Sequence, residues 1–150
     1  RPPVDRSHRP ATMGPIIRVM WMAGKVDPTG AAVIRHDTPH AKSTPTGTDE
    51  VAGQYIASNG CTGCHGDTYS GGAIPGTPPD WKPAANLTPT GIGKYSLAEF
   101  QRILREGKRP DGSMVDTLMP VRATARMTDG EIEAVYKFLK TVPPKEFGNR

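Results

Sequence analysis

Cys61-Thr62-Gly63-Cys64-His65 is the stretch on which the reading of this chain turns. Two thiols three residues apart can each add to a vinyl group on one edge of a porphyrin. An imidazole directly after the second thiol then falls beneath the metal. This five-residue spacing is a covalent haem attachment signal. The small residues Thr62 and Gly63 let the chain curl against the ring. Two rival readings use the same thiols. A thioredoxin-like redox pair requires a βαβ context, and no strand pattern of useful length is present. A zinc site would add His36 and His40, which are spaced like a ligand pair. That pair precedes the thiols and lies in a proline-rich segment, so one covalently attached haem c is the expectation.

The flanks of the motif read as helix before and loop after. Thr48 is the expected cap of a helix with acids in its first turn, running to about Asn59 and ended by Gly60. Residues 66–95 form a loop rich in Gly and Pro. A loop of that length inside a compact domain usually wraps something functional. Ser96-Leu97-Ala98-Glu99 is a capping box, and Leu97, Phe100, Ile103 and Leu104 give the helix after it one apolar face. Gly107 closes that helix. Residues 108–127 make a second loop. Thr128-Asp129-Gly130-Glu131 is another capping box, followed by Ile132, Val135, Tyr136 and Leu139 at helical spacing, and Pro143 and Pro144 stop the helix. Residues 48–150 are therefore an all-α domain with three principal helices and two long loops. No internal repeats are present.

A haem iron held by one imidazole needs a sixth ligand or an open site. Three methionines lie downstream: Met114, Met119 and Met127. Met119 is followed by Pro120, which fixes the local backbone and removes a donor. It sits in the loop between two helices, where a thioether can reach a cofactor face. Met127 precedes a helix cap and suits a staple contact instead. Met119 is the expected sixth ligand; Met114, His36, His40 or an open site are the alternatives, and Met119 as a plain gap filler is the bland one.

Composition agrees with a cofactor-centred domain. Apolar residues are 35% and aromatics 6%, while 17 Gly and 16 Pro imply much loop. A chain so thin in apolar residues needs another source of cohesion, which a large buried cofactor supplies. With only two Cys, three apart, no disulfide framework is available. The net charge of +4 is confined to residues 1–48, which carry seven Lys/Arg against three Asp/Glu; the remainder is balanced. Nucleic-acid binders concentrate basic and aromatic residues on the folded part, so no nucleic acid is expected. A basic extension suits an acidic protein partner or an anionic membrane surface. Residues 1–47 hold seven of the prolines and read as an extended basic arm, too sparse for its own core. Ile16 to Met22 is expected to form a short helix or strand, and Val33 with Ile34 a brief strand. No stretch is apolar for the roughly 18 residues a membrane span requires. The chain starts at Arg1 rather than Met, so a removed targeting segment or missing upstream sequence is expected.

Several strings together carry a family resemblance: GQYIASNGCTGCHG, GGAIPGTPPDW, AANLTPTGIGKYSLAEF, LREGKRPDG, MP and MTDGEIEAVYKFLKTVP. On them, residues 48–143 resemble a bacterial class I cytochrome c domain. More narrowly, they resemble the monohaem domains of membrane-bound multihaem cytochromes and of the cytochrome subunits of periplasmic dehydrogenases. The resemblance implies the class I cytochrome c fold around one haem, with His65 and Met119 as axial ligands and Met119-Pro120 as the ligand-bearing pair. It implies that Asn86, Leu87 and Thr88 lie along the haem edge. It also implies that Trp81, Tyr95 or Arg109 hydrogen-bonds a propionate, because a buried carboxylate without a donor is costly. The first and last helices should cross where Gly53 meets Tyr136, although Ala57 stands where many relatives carry an aromatic.

The function implied is transfer of single electrons between redox partner proteins, as a subunit of a respiratory or photosynthetic complex, with residues 1–47 docking on a membrane protein complex. The alternatives are the cytochrome subunit of a periplasmic dehydrogenase, or a haem enzyme with a labile sixth ligand. The last would need a spare cluster of His, Cys or paired acids near Met119, and the loop has none. Covalent attachment requires reduced thiols and dedicated machinery outside the cytoplasm, which implies a periplasmic or other extracytoplasmic location.

Overall fold

The structure, a computed structural model, describes residues 12–26, 37 and 43–150. The chain divides into two units, Arg1–Lys42 and Ser43–Arg150. Val33, Ile34, His36 and His40 lie outside the described residues.

The first unit contributes one described helix, α1 (Pro15–Met22), which settles the choice between helix and strand for this segment. Pro15 stands at its first turn, where a missing N–H costs nothing. None of its residues is buried, and Ile16 and Met22 are 74% and 79% exposed.

The second unit is helical, and among the described residues it contains no strand, only the isolated bridges Gly72–Ala84 and Lys108–Met114. Its long helices are α2 (Glu50–Gly60), α5 (Leu97–Glu106) and α7 (Asp129–Thr141), and the short ones are α3 (Thr62–His65), α4 (Pro89–Ile92) and α6 (Val121–Thr124). The two expected capping boxes are both closed. Ser96 and Thr128 accept from the backbone of Glu99 and Glu131, whose carboxylates accept from the cap residues in return. Gly107 ends α5 in the left-handed conformation (φ 71°).

The ends of α2 differ from the sequence expectation. Its cap is Asp49, whose Oδ1 accepts from Ala52 N at 2.8 Å, not Thr48. Both residue types cap well and they are adjacent. Thr48 is committed elsewhere: its carbonyl accepts from Lys137 Nζ at 3.0 Å, and its methyl underlies Gly130. Gly60 is the last residue of the helix, but not as a left-handed cap. It stays helical, and Cys61 is the C-cap, its N–H bonded to Ala57 O at 2.8 Å. Without a left-handed turn the chain runs straight into α3.

The core is built where α2 crosses α7. A methyl group at Gly53 would collide with the Ala134 carbonyl and the Cβ of Phe138, so only glycine permits this separation. Ala57, Ile132 and Leu139 are fully buried around the crossing, joined by Val135, Tyr69, Phe100, Leu104 and Ile92. Here the expected Gly53–Tyr136 contact is corrected. The aromatic at the crossing is Phe138, whose ring meets Tyr69 edge-on at 5.5 Å. Tyr136 points elsewhere on α7, tilting against Phe100 at 5.6 Å and donating its hydroxyl to Tyr95 O at 2.8 Å. The helical spacing of Ile132, Val135 and Leu139 marks the buried stripe. It does not say which flanking aromatic faces α2.

Both loops carry more structure than glycine and proline content suggests. Residues 66–95 include the Gly72–Ala84 bridge and α4. Pro89 opens α4, but a single turn is too short to leave a periodic signal. Residues 108–127 include the Lys108–Met114 bridge and α6.

Candidate functional site

α3 is the one-turn helix that presents the motif. Cys61 caps α2 and opens α3, and His65 N donates to Cys61 O at 2.9 Å. Thr62 Oγ1 reaches back to Ser58 O at 2.7 Å, stitching α3 to the end of α2. Gly66 then leaves with φ 79°, which turns the loop away from the motif. The two thiols are free, Cys61 partly buried and Cys64 exposed. Burial, with a lesser contribution from the neighbouring Cys64, pushes the Cys61 thiol up to about 11.

His65 is buried, and its Nδ1 lies 2.7 Å from the carbonyl of Ala85. A carbonyl only accepts, so Nδ1 carries the proton and Nε2 keeps its lone pair. This is the orientation that metal-bound histidines need. Burial lowers the pKa of His65 below its usual value, the Ala85 bond opposes that shift, and the charge of Arg150 adds to the lowering. The ring is therefore neutral, as a ligand must be.

The Ala85 carbonyl is held in place by the loop. Gly71 N donates to His65 O at 2.9 Å, and Gly72 and Ala84 exchange two bonds, each 2.9 Å. Leu87 N donates to Tyr69 O at 2.8 Å. A Cβ on Gly71 would strike the carbonyls of Ala84 and Ala85, so the approach needs glycine. Asn86 is fully engaged. Its Oδ1 accepts from Thr88 N and Thr88 Oγ1, each 2.8 Å, and its Nδ2 donates to Lys145 O at 2.8 Å. Leu87 is half-buried against the core.

Met119 is half-buried against the same core, in a loop tied at both ends. Its N–H donates to Asp116 O at 3.0 Å, Leu118 N donates to Asp116 Oδ1 at 3.0 Å, and Pro120 caps α6. Thr124 Oγ1 anchors α6 to α5 through Leu104 O at 2.6 Å. Met127 packs on the core beside the α7 cap, as the staple reading expects, while Met114 is 60% exposed. Tyr95 is half-buried, and Trp81 is 45% exposed. Arg109 uses Nη1 to close its own turn, on Met114 O at 2.6 Å and Ser113 Oγ at 3.3 Å. Beyond those bonds, the Trp81 indole, the Tyr95 hydroxyl and the outer nitrogens of Arg109 have no partner among the described residues.

Sequence reasoning missed three contributors. Ala85 acts through its carbonyl, which any residue would supply. Arg105 spans to Ala125 O (2.8 Å), Met127 O (2.9 Å) and Asp129 Oδ1 (2.6 Å), tying α5 to the end of the Met119 loop. The segment from Lys145 to Arg150 returns across the motif and bonds to backbone carbonyls of Cys64, Ser70 and Ala73 and to the side chains of Thr68, Asn86 and Thr88. Nothing in an Arg or Asn near a chain end signals such a target.

The donor set of two thiols on one helical turn, an imidazole with a bare Nε2 and a half-buried thioether fits a haem. A family model for cytochrome c matches residues 50–143, well over half of the chain. The chain belongs to the cytochrome c family. Its all-α fold is that family's, the Cys61–Cys64 pair fits the covalent haem c motif, and the domain is an electron carrier.

Among relatives of this cytochrome c, the "Alcohol dehydrogenase (quinone), cytochrome c subunit" of Gluconobacter oxydans is 38% identical over 94 residues, 57% of this chain and 20% of the relative. The "Fructose dehydrogenase cytochrome subunit" of Gluconobacter japonicus is 30% identical over 148 residues, 91% of this chain and 29% of the relative. The "Gluconate 2-dehydrogenase cytochrome c subunit" of Pantoea cypripedii is 34% identical over 107 residues, 65% of this chain and 24% of the relative. The cytochrome c chain thus spans only a fifth to under a third of the length of these relatives. At 91% coverage the fructose dehydrogenase match includes part of residues 1–47, so that segment too has a counterpart.

Proposed function

We propose that this cytochrome c passes single electrons from the catalytic subunit of a dehydrogenase to a further redox partner outside the cytoplasm. The observation that carries the reading is His65: buried, neutral, with its Nδ1 proton on Ala85 and its Nε2 lone pair free, directly after two thiols on one turn. When bound, haem c supplies a one-electron ferric/ferrous couple. His65 and Met119 would hold the iron, and a thioether ligand beside the imidazole would raise the potential into the range useful for electron transfer. Pro120 and the Asp116 bonds hold the Met119 loop in place. Asn86 and Leu87 would brace the haem edge, and Trp81, Tyr95 and Arg109 would offer their unused donors to its propionates.

Residues 48–150 form the cytochrome domain, and residues 1–47 form an arm that docks on a membrane protein complex. Support for the arm comes from the exposed apolar residues of α1, from Arg18 within it and Lys25 after it, and from the excess of positive charge. Single apolar residues at a surface are ordinary, but six exposed within the seven residues from Ile16 to Met22 are not. No described helix is long and apolar enough to cross a membrane. The chemistry of covalent attachment supports a periplasmic location, and the dehydrogenase roles of the relatives support a dehydrogenase partner.

The test is carbon monoxide added to the reduced protein near neutral pH. With both axial positions filled, the Soret band stays unchanged, while M119A binds the gas. Fast binding to the unsubstituted protein would mean an open site and would overturn the electron-carrier reading in favour of a haem enzyme.

A further inference from the structure

The tail beyond α7 carries an inference that rests on the haem reading above. Pro143 and Pro144 end the helix, and the chain then folds back over the motif loop. Lys145 O accepts from Asn86 Nδ2 (2.8 Å) and Thr88 Oγ1 (3.2 Å). Gly148 N donates to Ser70 O at 3.0 Å, and Thr68 Oγ1 donates to Asn149 O at 2.8 Å. The guanidinium of Arg150 places Nη1 on Ala73 O at 2.7 Å and Cys64 O at 3.0 Å, with Gly72 O at 3.5 Å. Its side chain passes 3.1–3.3 Å, from Nε to Cβ, from the point where Gly66 would carry a Cβ, and Gly148 crosses 2.9 Å from the matching point on Gly72. Both glycines have positive φ, 79° and 102°. The loop is thus shaped to let the tail lie flat on it.

We propose that residues 145–150 are a strap over the haem-binding loop, in which Arg150 is a positioning residue that also raises the reduction potential. The first half is mechanical. Cys64 O and Ala73 O flank the loop on either side of His65 and the Gly71–Gly72 corner, and one cation joins them. The second half is electrostatic. Reduction lowers the positive charge of the site by one unit, and a fixed cation nearby favours the state of lower positive charge. Asp67 borders the same small cavity as Arg150, and among the described residues no ion pair joins them.

The experiment is equilibrium redox titration of the holoprotein and its R150K, R150A and R150E variants at low salt. Arg150 is exposed, so screening keeps the effect modest. R150A should shift the equilibrium about threefold toward the oxidised state, about 28 mV at 59 mV per tenfold for one electron. R150E should shift it about twice as far on the logarithmic scale, and R150K should stay near the unsubstituted value. A potential indifferent to this charge series, or one that falls equally for Lys, Ala and Glu, would overturn the electrostatic half. Hydrogen exchange of the holoprotein reads the mechanical half: amides of Gly66, Tyr69 and Gly71 should exchange several-fold faster in R150A. Unchanged protection there would overturn the strap. Failure to obtain any haem-bearing protein would instead count against the haem reading itself.

Discussion

Gly53→Ala tests the packing that positions the site. In an open helix interior this change stabilises by about 1 kcal/mol, because Ala loses less backbone freedom. Here the new methyl meets the Ala134 carbonyl carbon and oxygen and the Phe138 Cβ. None is the far end of a flexible side chain, so α2 and α7 must move apart as bodies. Overpacking of this sort costs about 1–3 kcal/mol, and an obstacle made of backbone belongs at the upper end. Subtracting the propensity gain leaves a net loss of about 2 kcal/mol. Gly60→Ala is the internal control. It lies in the same helix, has no positive φ and has open space around its Cβ position, so it should gain up to about 1 kcal/mol. The assay is guanidinium unfolding of the oxidised holoprotein followed by far-ultraviolet circular dichroism, comparing midpoints at unchanged slope. A G53A midpoint equal to or above that of the unsubstituted protein would refute the close crossing and the placement of Phe138 in it.

Other substitutions probe the supports of the two axial residues. Arg105→Ala removes bonds to Ala125 O, Met127 O and Asp129 and should destabilise by about 1–2 kcal/mol, while also weakening the ferric band of a methionine ligand; an unchanged band would detach Arg105 from the Met119 loop. Tyr136→Phe should cost about 1 kcal/mol in chemical unfolding by freeing the Tyr95 carbonyl, and no loss would mean that bond contributes nothing. The Asp116 carboxyl is held below its usual range chiefly by the Leu118 N–H, with Lys82 helping and burial opposing; Ser113 does the same for Asp111 and Ser96 for Glu99. A lowered carboxylate pKa stabilises the fold above its unfolded value and loses that contribution as pH falls through the lowered one. Thermal midpoints should therefore drop below roughly pH 4, and D116N should flatten that acid branch. An identical acid branch in D116N would remove Asp116 from the account.

What was legible in the sequence was local. A capping box joins residues three apart through groups that only Ser, Thr and Glu supply, so Ser96–Glu99 and Thr128–Glu131 could be read directly. Cys61, Cys64 and His65 are likewise one turn of chain. The misreadings arose where two residues satisfied the same local rule, and tertiary contacts chose between them. Asp49 holds the cap, while Thr48 meets α7 through its carbonyl and methyl. Phe138 took the crossing because Tyr136 had a hydroxyl to satisfy on Tyr95. The contributions least legible were those made to or by the main chain: the Ala85 carbonyl on His65, and the carbonyls of Cys64 and Ala73 beneath Arg150. Backbone groups have no residue signature, so only the folded chain reveals them.

The central claim is that Cys61 and Cys64 hold one haem through two thioether bonds. Intact-mass measurement of the purified, denatured protein after treatment with a thiol alkylator tests it most directly. The account predicts the polypeptide mass plus a single haem and no alkyl groups. The bare polypeptide carrying two alkyl groups would contradict it.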